Sequence, residues 1–163
     1  MSRIGRSISL GLAAVALAVG GLTTPAAAVG SQAETFDENG SDKVQVATHT
    51  RGDGTKPPAE LDDPSEWGVV TMKMDTSSPR LMSEACVDVA SGGTWCYGWY
   101  TTTVDGIPQK YCYSNYLHYS KDHASTVKLA GGTDRDTAEP GDVSQANLTA
   151  GFAYTCKAYY STS

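Results

Sequence analysis

The chain holds only two phenylalanines among its 163 residues, against nine tyrosines and three tryptophans. A core drawn from that set must bury rings with polar handles or leave them at a wet surface. No run of Lys or Arg occurs: 12 basic residues are scattered among 18 acids, for a formal charge of −6. Nucleic-acid binding draws affinity from clustered cations that release counterions, so the composition argues against a nucleic-acid partner and, on the same ground, against an anionic membrane surface. No C-x-x-C pair is present, and cysteine spacings of 10, 16 and 44 offer no zinc-ligand pattern. Motifs of the G-x-S-x-G and H-E-x-x-H kind are also missing. His118, Asp122 and His123 form the one cluster that resembles catalytic equipment, and nothing accompanies it, so the chain reads as a non-enzyme without a metal or cofactor.

Beyond residue 28 no apolar stretch approaches the roughly 20 residues that cross a bilayer. Ahead of it, Arg3 and Arg6 precede an apolar run from Ile8 to Leu22, which ends in TTPAAA. A basic start, a short apolar run and small residues at its end are the features of a secretory leader. Residues 1–28 are therefore expected to be a signal peptide cleaved after Ala28, and the product to be secreted, extracellular and without stable membrane insertion. Losing the two arginines moves the formal charge from −6 to −8, which favours solubility.

Four cysteines, Cys86, Cys96, Cys112 and Cys156, all lie in the second half. An even count in an exported chain implies two disulfides, for which three pairings are open. If Ala90-Ser91-Gly92 is a three-residue hairpin loop with Gly92 left-handed, Cys86 falls opposite Cys96, which leaves Cys112 for Cys156. That geometry favours one pairing without settling it.

Residues 29–85 hold eleven acids, five bases and four prolines, and few large apolar side chains. Such a segment is expected to be a mostly flexible acidic extension or a pro-segment, with Trp67–Met72 able to form one strand that docks on the domain. From Cys86 onward the character changes. All nine tyrosines and every cysteine lie in residues 86–163, which read as the folded domain. Strand-like runs cover 86–89, 94–102, 111–119, 125–129 and 151–161, with turn signals at Ser91-Gly92-Gly93, Asp105-Gly106, Gly131-Gly132 and Glu139-Pro140-Gly141. No sustained helical period occurs, Val143–Ala150 being the best helical candidate, and the fold class is all-β. A domain this small gains about 2 to 4 kcal/mol from each disulfide, which makes the cysteines structural staples.

Within that domain, Gly93-Thr94-Trp95, Tyr97-Gly98, Tyr113-Ser114-Asn115-Tyr116, His118, Ser120-Lys121, His123 and Val127 stand in the order typical of one family. With Asn147-Leu148-Thr149 and a closing Tyr159-Tyr160, the pattern resembles that of the lactococcin 972 family of secreted bacteriocins over residues 92–163. The resemblance implies a small β-sandwich of two antiparallel sheets that inhibits related Gram-positive bacteria. It further implies binding of the cell-wall precursor lipid II and a block of septum formation, without pores and without cleavage. The four cysteines and the acidic extension depart from the family pattern.

Candidate contacts for such a ligand are Tyr97, Tyr113, Tyr116, His118, Lys121 and His123. Tyrosine rings bury area with few rotors to freeze, and a lysine with histidine donors suits a phosphate. The same residues have plainer roles to weigh: Tyr113 and Tyr116 as core rings, His118 and His123 as a pair that stabilises a turn. A different class of function, a disulfide-stapled binding protein such as a protease inhibitor or a carbohydrate-binding module, fits the composition as well.

Overall fold

Turn chemistry sets the register of this fold. Strands β5 (Gly93–Val104) and β6 (Ile107–His118) form the longest hairpin, joined by Asp105 and Gly106 at φ 49° and 77°. Two successive left-handed residues make the two-residue turn whose twist matches that of the strands, and Asp-Gly is a preferred pair for it. Ala130 and Gly131, at φ 53° and 82°, do the same between β7 (His123–Leu129) and β8 (Gly132–Ala138). Gly92, at φ 96°, closes the loop after β4 (Ala85–Asp88), and the Val89 N–H donates to the Gly93 carbonyl at 2.9 Å. Cys86 consequently stands opposite Cys96.

The computed structural model describes residues 33–35, 45–73 and 84–163; the expected leader lies outside the described residues. The remaining strands are β1 (Ala33–Thr35), β2 (Gln45–Thr50), β3 (Glu66–Met72), β9 (Val143–Ala150) and β10 (Cys156–Thr162). They build a six-stranded sheet in the order β1-β2-β3-β10-β7-β8 and a four-stranded sheet in the order β4-β5-β6-β9. Every pairing is antiparallel. The all-β sandwich is as expected, and so are both disulfides, Cys86–Cys96 and Cys112–Cys156. The first bridges neighbours within a sheet. The second joins β6 to β10 and so ties one sheet to the other.

Side chains alternate along β6, with Lys110, Cys112, Ser114, Tyr116 and His118 buried and the residues between them half-exposed. The inner face of β5 adds Trp95, Tyr97 and Trp99; the facing sheet adds Val70, Met72, Val127, Leu129, Ala158 and Tyr160. Trp95 meets Tyr160 across the layers at a centroid distance of 5.0 Å.

Three expectations need correction. The segment before Cys86 is no loose extension over residues 45–72, because β3 pairs with β10 at seven positions and sends Val70 and Met72 into the shared core. The Trp67–Met72 strand docks as expected, but its place is inside the sheet, between β2 and β10. The acids there have partners: Asp53 with His49, Glu60 with Lys128, Asp62 with Arg135, and buried Glu66 with Tyr160. Residues 143–150, the helical candidate, form strand β9. Its buried positions are Ser144 and Ala146, small residues that leave no apolar period to read. Strand β8 has no counterpart among the expected strands, because GTDRDTA carries no apolar alternation. Its acids serve the neighbouring strand instead. Asp136 accepts the Gln145 N–H and Asp134 the Asn147 N–H, both at 2.7 Å, on the free edge of β9. Capping an open edge in this way protects it from pairing with another chain.

Met72 is 1% exposed, so Met72→Ala is expected to cost about 2 to 5 kcal/mol in denaturant unfolding. A chain that begins at residue 84 should show no cooperative transition, and a sharp transition from it would mean that β3 is dispensable.

Candidate functional site

The six expected contacts do not form one surface. Tyr116, His118 and His123 do come together, with ring centroids 5.1 to 6.2 Å apart, but each is at most 3% exposed. His118 Nδ1 accepts the N–H groups of Ser120 and Lys121 at 3.2 and 3.1 Å, so its proton sits on Nε2, which donates to the Ser91 carbonyl at 2.9 Å. The nitrogens of His123 face the carbonyls of Lys121 and Asp142 at 2.9 and 3.0 Å. These rings pin the 119–122 turn to the neighbouring loops, which is the plainer of the two roles weighed for them. Tyr97 is core as well, packed on Trp95 at 4.4 Å. Lys121 and Tyr113 are the two that reach the surface. They sit apart: Lys121 is at the turn beyond β6, and Tyr113 is on the outer face of the four-stranded sheet.

That outer face is the concave feature with chemistry to offer. The register across β5, β6 and β9 lays it out in rows: Tyr100, Tyr111 and Thr149; Gly98, Tyr113 and Asn147; Cys96, Asn115 and Gln145. Tyr100 and Tyr111 stack at 4.6 Å, and Tyr113 stands 6.2 and 6.4 Å from them. A Cβ at Gly98 would come within 2.7 Å of the Tyr113 hydroxyl and 3.0 Å of its Cζ. Glycine there lets the ring lie flat across the strand. With the carboxamides of Asn115, Gln145 and Asn147 and the carboxylate of Glu84, the rings enclose a concavity of about 470 Å³, a size usual for a small-ligand site. Of this group, sequence reasoning singles out Tyr113 alone. The Asp105-Gly106 turn holds the signal for the rest, since a two-residue hairpin there places Tyr100 opposite Tyr111 and Gly98 opposite Tyr113.

A larger groove lies beside β8 and is lined in part by Arg51, Asp62, Asp63 and Arg135. Both of its arginines are already paired, Arg51 with Asp63 and Arg135 with Asp62, each at 3.4 Å. Lys110 is buried over the Trp99 ring at 5.5 Å and donates to the Tyr154 carbonyl; burial lowers its pKa. It anchors the 151–155 loop rather than facing solvent. Among the described residues, no helix is long and apolar enough to cross a membrane.

The model of one protein family, described as Bacteriocin (Lactococcin_972), matches residues 91–160. No curated protein and no solved structure matches the chain. The matched stretch runs from the loop after β4 to Tyr160 in β10, and so includes the hairpin, both buried histidines and the tyrosine face. It supports a bacteriocin-type antibacterial function.

Burial pushes Tyr97, Tyr113 and Tyr116 up to about 12, with Glu84 and Tyr100 adding to the effect at Tyr113 and Glu66 at Tyr116. Tyr160 is raised as well, by burial and then by Glu66. A folded-state value above the unfolded one favours the folded state fully below the unfolded value and ceases to do so as pH rises through the folded one. The stability contributed by these hydroxyls is thus complete below about pH 10 and lost toward pH 12. Unfolding followed against pH by circular dichroism should show alkaline collapse in that window, together with release of tyrosinate absorbance. Tyrosinate formation that is complete while the fold persists would contradict the buried placement.

Proposed function

From the bacteriocin-family match of residues 91–160, we propose that this protein is a secreted antibacterial protein. It inhibits growth of related Gram-positive bacteria by binding, not by catalysis. Its target in this reading is lipid II, whose sequestration would stop septum formation. The family match is the observation that carries the proposal. The residue chemistry adds two contacts, since of the side chains first considered Lys121 and Tyr113 are the ones offered to solvent. Lys121 supplies the ammonium that a pyrophosphate requires.

Purified protein with both disulfides intact is expected to clear a lawn of related bacteria, and added lipid II to abolish the clearing. Loss of a charge-assisted hydrogen bond costs about 1.5 to 3 kcal/mol, so Lys121→Ala should raise the inhibitory concentration about ten- to a hundredfold with the melting temperature unchanged. Treated cells should lose septa before they leak ions. Early collapse of membrane potential, or full potency in Lys121→Ala, would sink the proposed mode.

A further inference from the structure

The outer face of β5, β6 and β9 is built for a ligand of a particular chemistry. Tyr113 lies flat across Gly98, so one face of its ring rests on the strand and the other forms the floor of the concavity. Tyr100, 44% exposed, and Tyr111 stand beside it as a stacked pair. Around these rings are three carboxamides, those of Asn115, Gln145 and Asn147, and one carboxylate, that of Glu84. Among the described residues none of the four makes a side-chain hydrogen bond, because at Gln145 and Asn147 it is the backbone N–H that is engaged.

We propose that this face is a saccharide-binding site, in which an uncharged pyranose ring stacks on Tyr113 while Asn115, Asn147 and Gln145 hydrogen-bond its hydroxyls. A sugar ring has C–H groups of slight positive character on its faces, and these suit the negative face of an aromatic ring. Its rim hydroxyls both donate and accept, and a carboxamide does the same. Glu84 accepts from a hydroxyl and repels an anion, while among the described residues lining this face there is no cation to favour one. A peptide added as a further strand beside Asn147 would need the free edge of β9, and that edge is capped by Asp134 and Asp136. Flat, equatorially linked oligosaccharides fit best, because successive rings can lie along the row from Tyr113 to Tyr100 and Tyr111.

The site stands on its own geometry and holds whether or not the protein arrests growth; where both hold, the face takes the sugar portion of the wall precursor. The test is calorimetric titration of the full disulfide-bonded protein with cellotetraose, the tetramer of N-acetylglucosamine and, as a curved control, maltotetraose. Saturable binding of at least one of the first two is expected, tighter than that of maltotetraose. Tyr113→Ala should weaken it at least about tenfold and Asn147→Ala about threefold, while Tyr119→Ala, outside the face, changes nothing. Should Tyr113→Ala fail to fold, Tyr100→Ala and Asn147→Ala, both at exposed positions, carry the comparison. The proposal is overturned if no saccharide binds at about 10 mM, if maltotetraose binds equally well, or if the variants bind like the parent. Selective binding of a wall peptide that Tyr113→Ala abolishes would overturn it too. None of these outcomes depends on the lawn assay, so failure of one reading leaves the other standing.

Discussion

A tyrosine ring can replace phenylalanine in a core only where its hydroxyl finds a partner, and that requirement organises this sandwich. Tyr160 donates to Glu66 at 2.8 Å, Ser91 donates to the same carboxylate oxygen at 3.0 Å, and Ser91 meets the Tyr116 hydroxyl at 3.2 Å. One chain of hydrogen bonds thus runs from β10 and β3 in one sheet, through the loop after β4, to β6 in the other. Trp95 adds a second, donating to Ser114 at 2.9 Å, which donates to the Tyr159 carbonyl at 2.8 Å. Both chains cross between the layers that the Cys112–Cys156 bridge also joins. Partly satisfied networks of this kind are costly, which is why residues 45–72 are integral: Glu66, the acceptor for Tyr160, belongs to them.

The same tyrosines need room, and glycine supplies it. A Cβ at Gly68 would lie 2.2 Å from Tyr160 Cε1, and one at Gly93 would lie 2.6 Å from Tyr116 Cε2. Each glycine stands by a ring that folds down over it. Two of these pairs face inward and close the core. The third, Gly98 with Tyr113, faces outward, where among the described residues no second sheet covers it. An arrangement that builds the interior therefore also produces a flat aromatic floor on the outside, beside the Tyr100–Tyr111 stack.

What can be read from the sequence follows from how each signal arises. Left-handed turn pairs are local, so the loop at Gly92 and the hairpin at Asp105-Gly106 are visible, and with them the Cys86–Cys96 pairing. Strands that alternate aromatic and polar residues are visible for the same reason. Strand β9 is not, because Ser144 and Ala146 are buried by virtue of being small, and β8 is not, because its acids serve the edge of its neighbour. The Trp67–Met72 strand is legible, but its place inside the sheet rests on a partner more than eighty residues away, β10, with Tyr160 for Glu66, and no local pattern announces that pairing. For the candidate contacts, residue type is informative and orientation is not. Tyr113 and Tyr116 differ by three positions and therefore face opposite sides of the sheet.

In the proposed mode of action the buried histidines take a part other than direct contact. Lys121 has its backbone N–H bound to His118 and its carbonyl held against His123, and the two rings are in turn fixed by Ser91 and Asp142. Its main chain is locked on both sides by groups inside the core, while its side chain is left at the surface. Freezing a flexible loop on binding costs affinity, and a turn already held in place avoids that loss. A positioned lysine at one end of β6 and a flat aromatic floor near its middle thus come from one strand, whose inner residues fix the first and whose outer residues form the second.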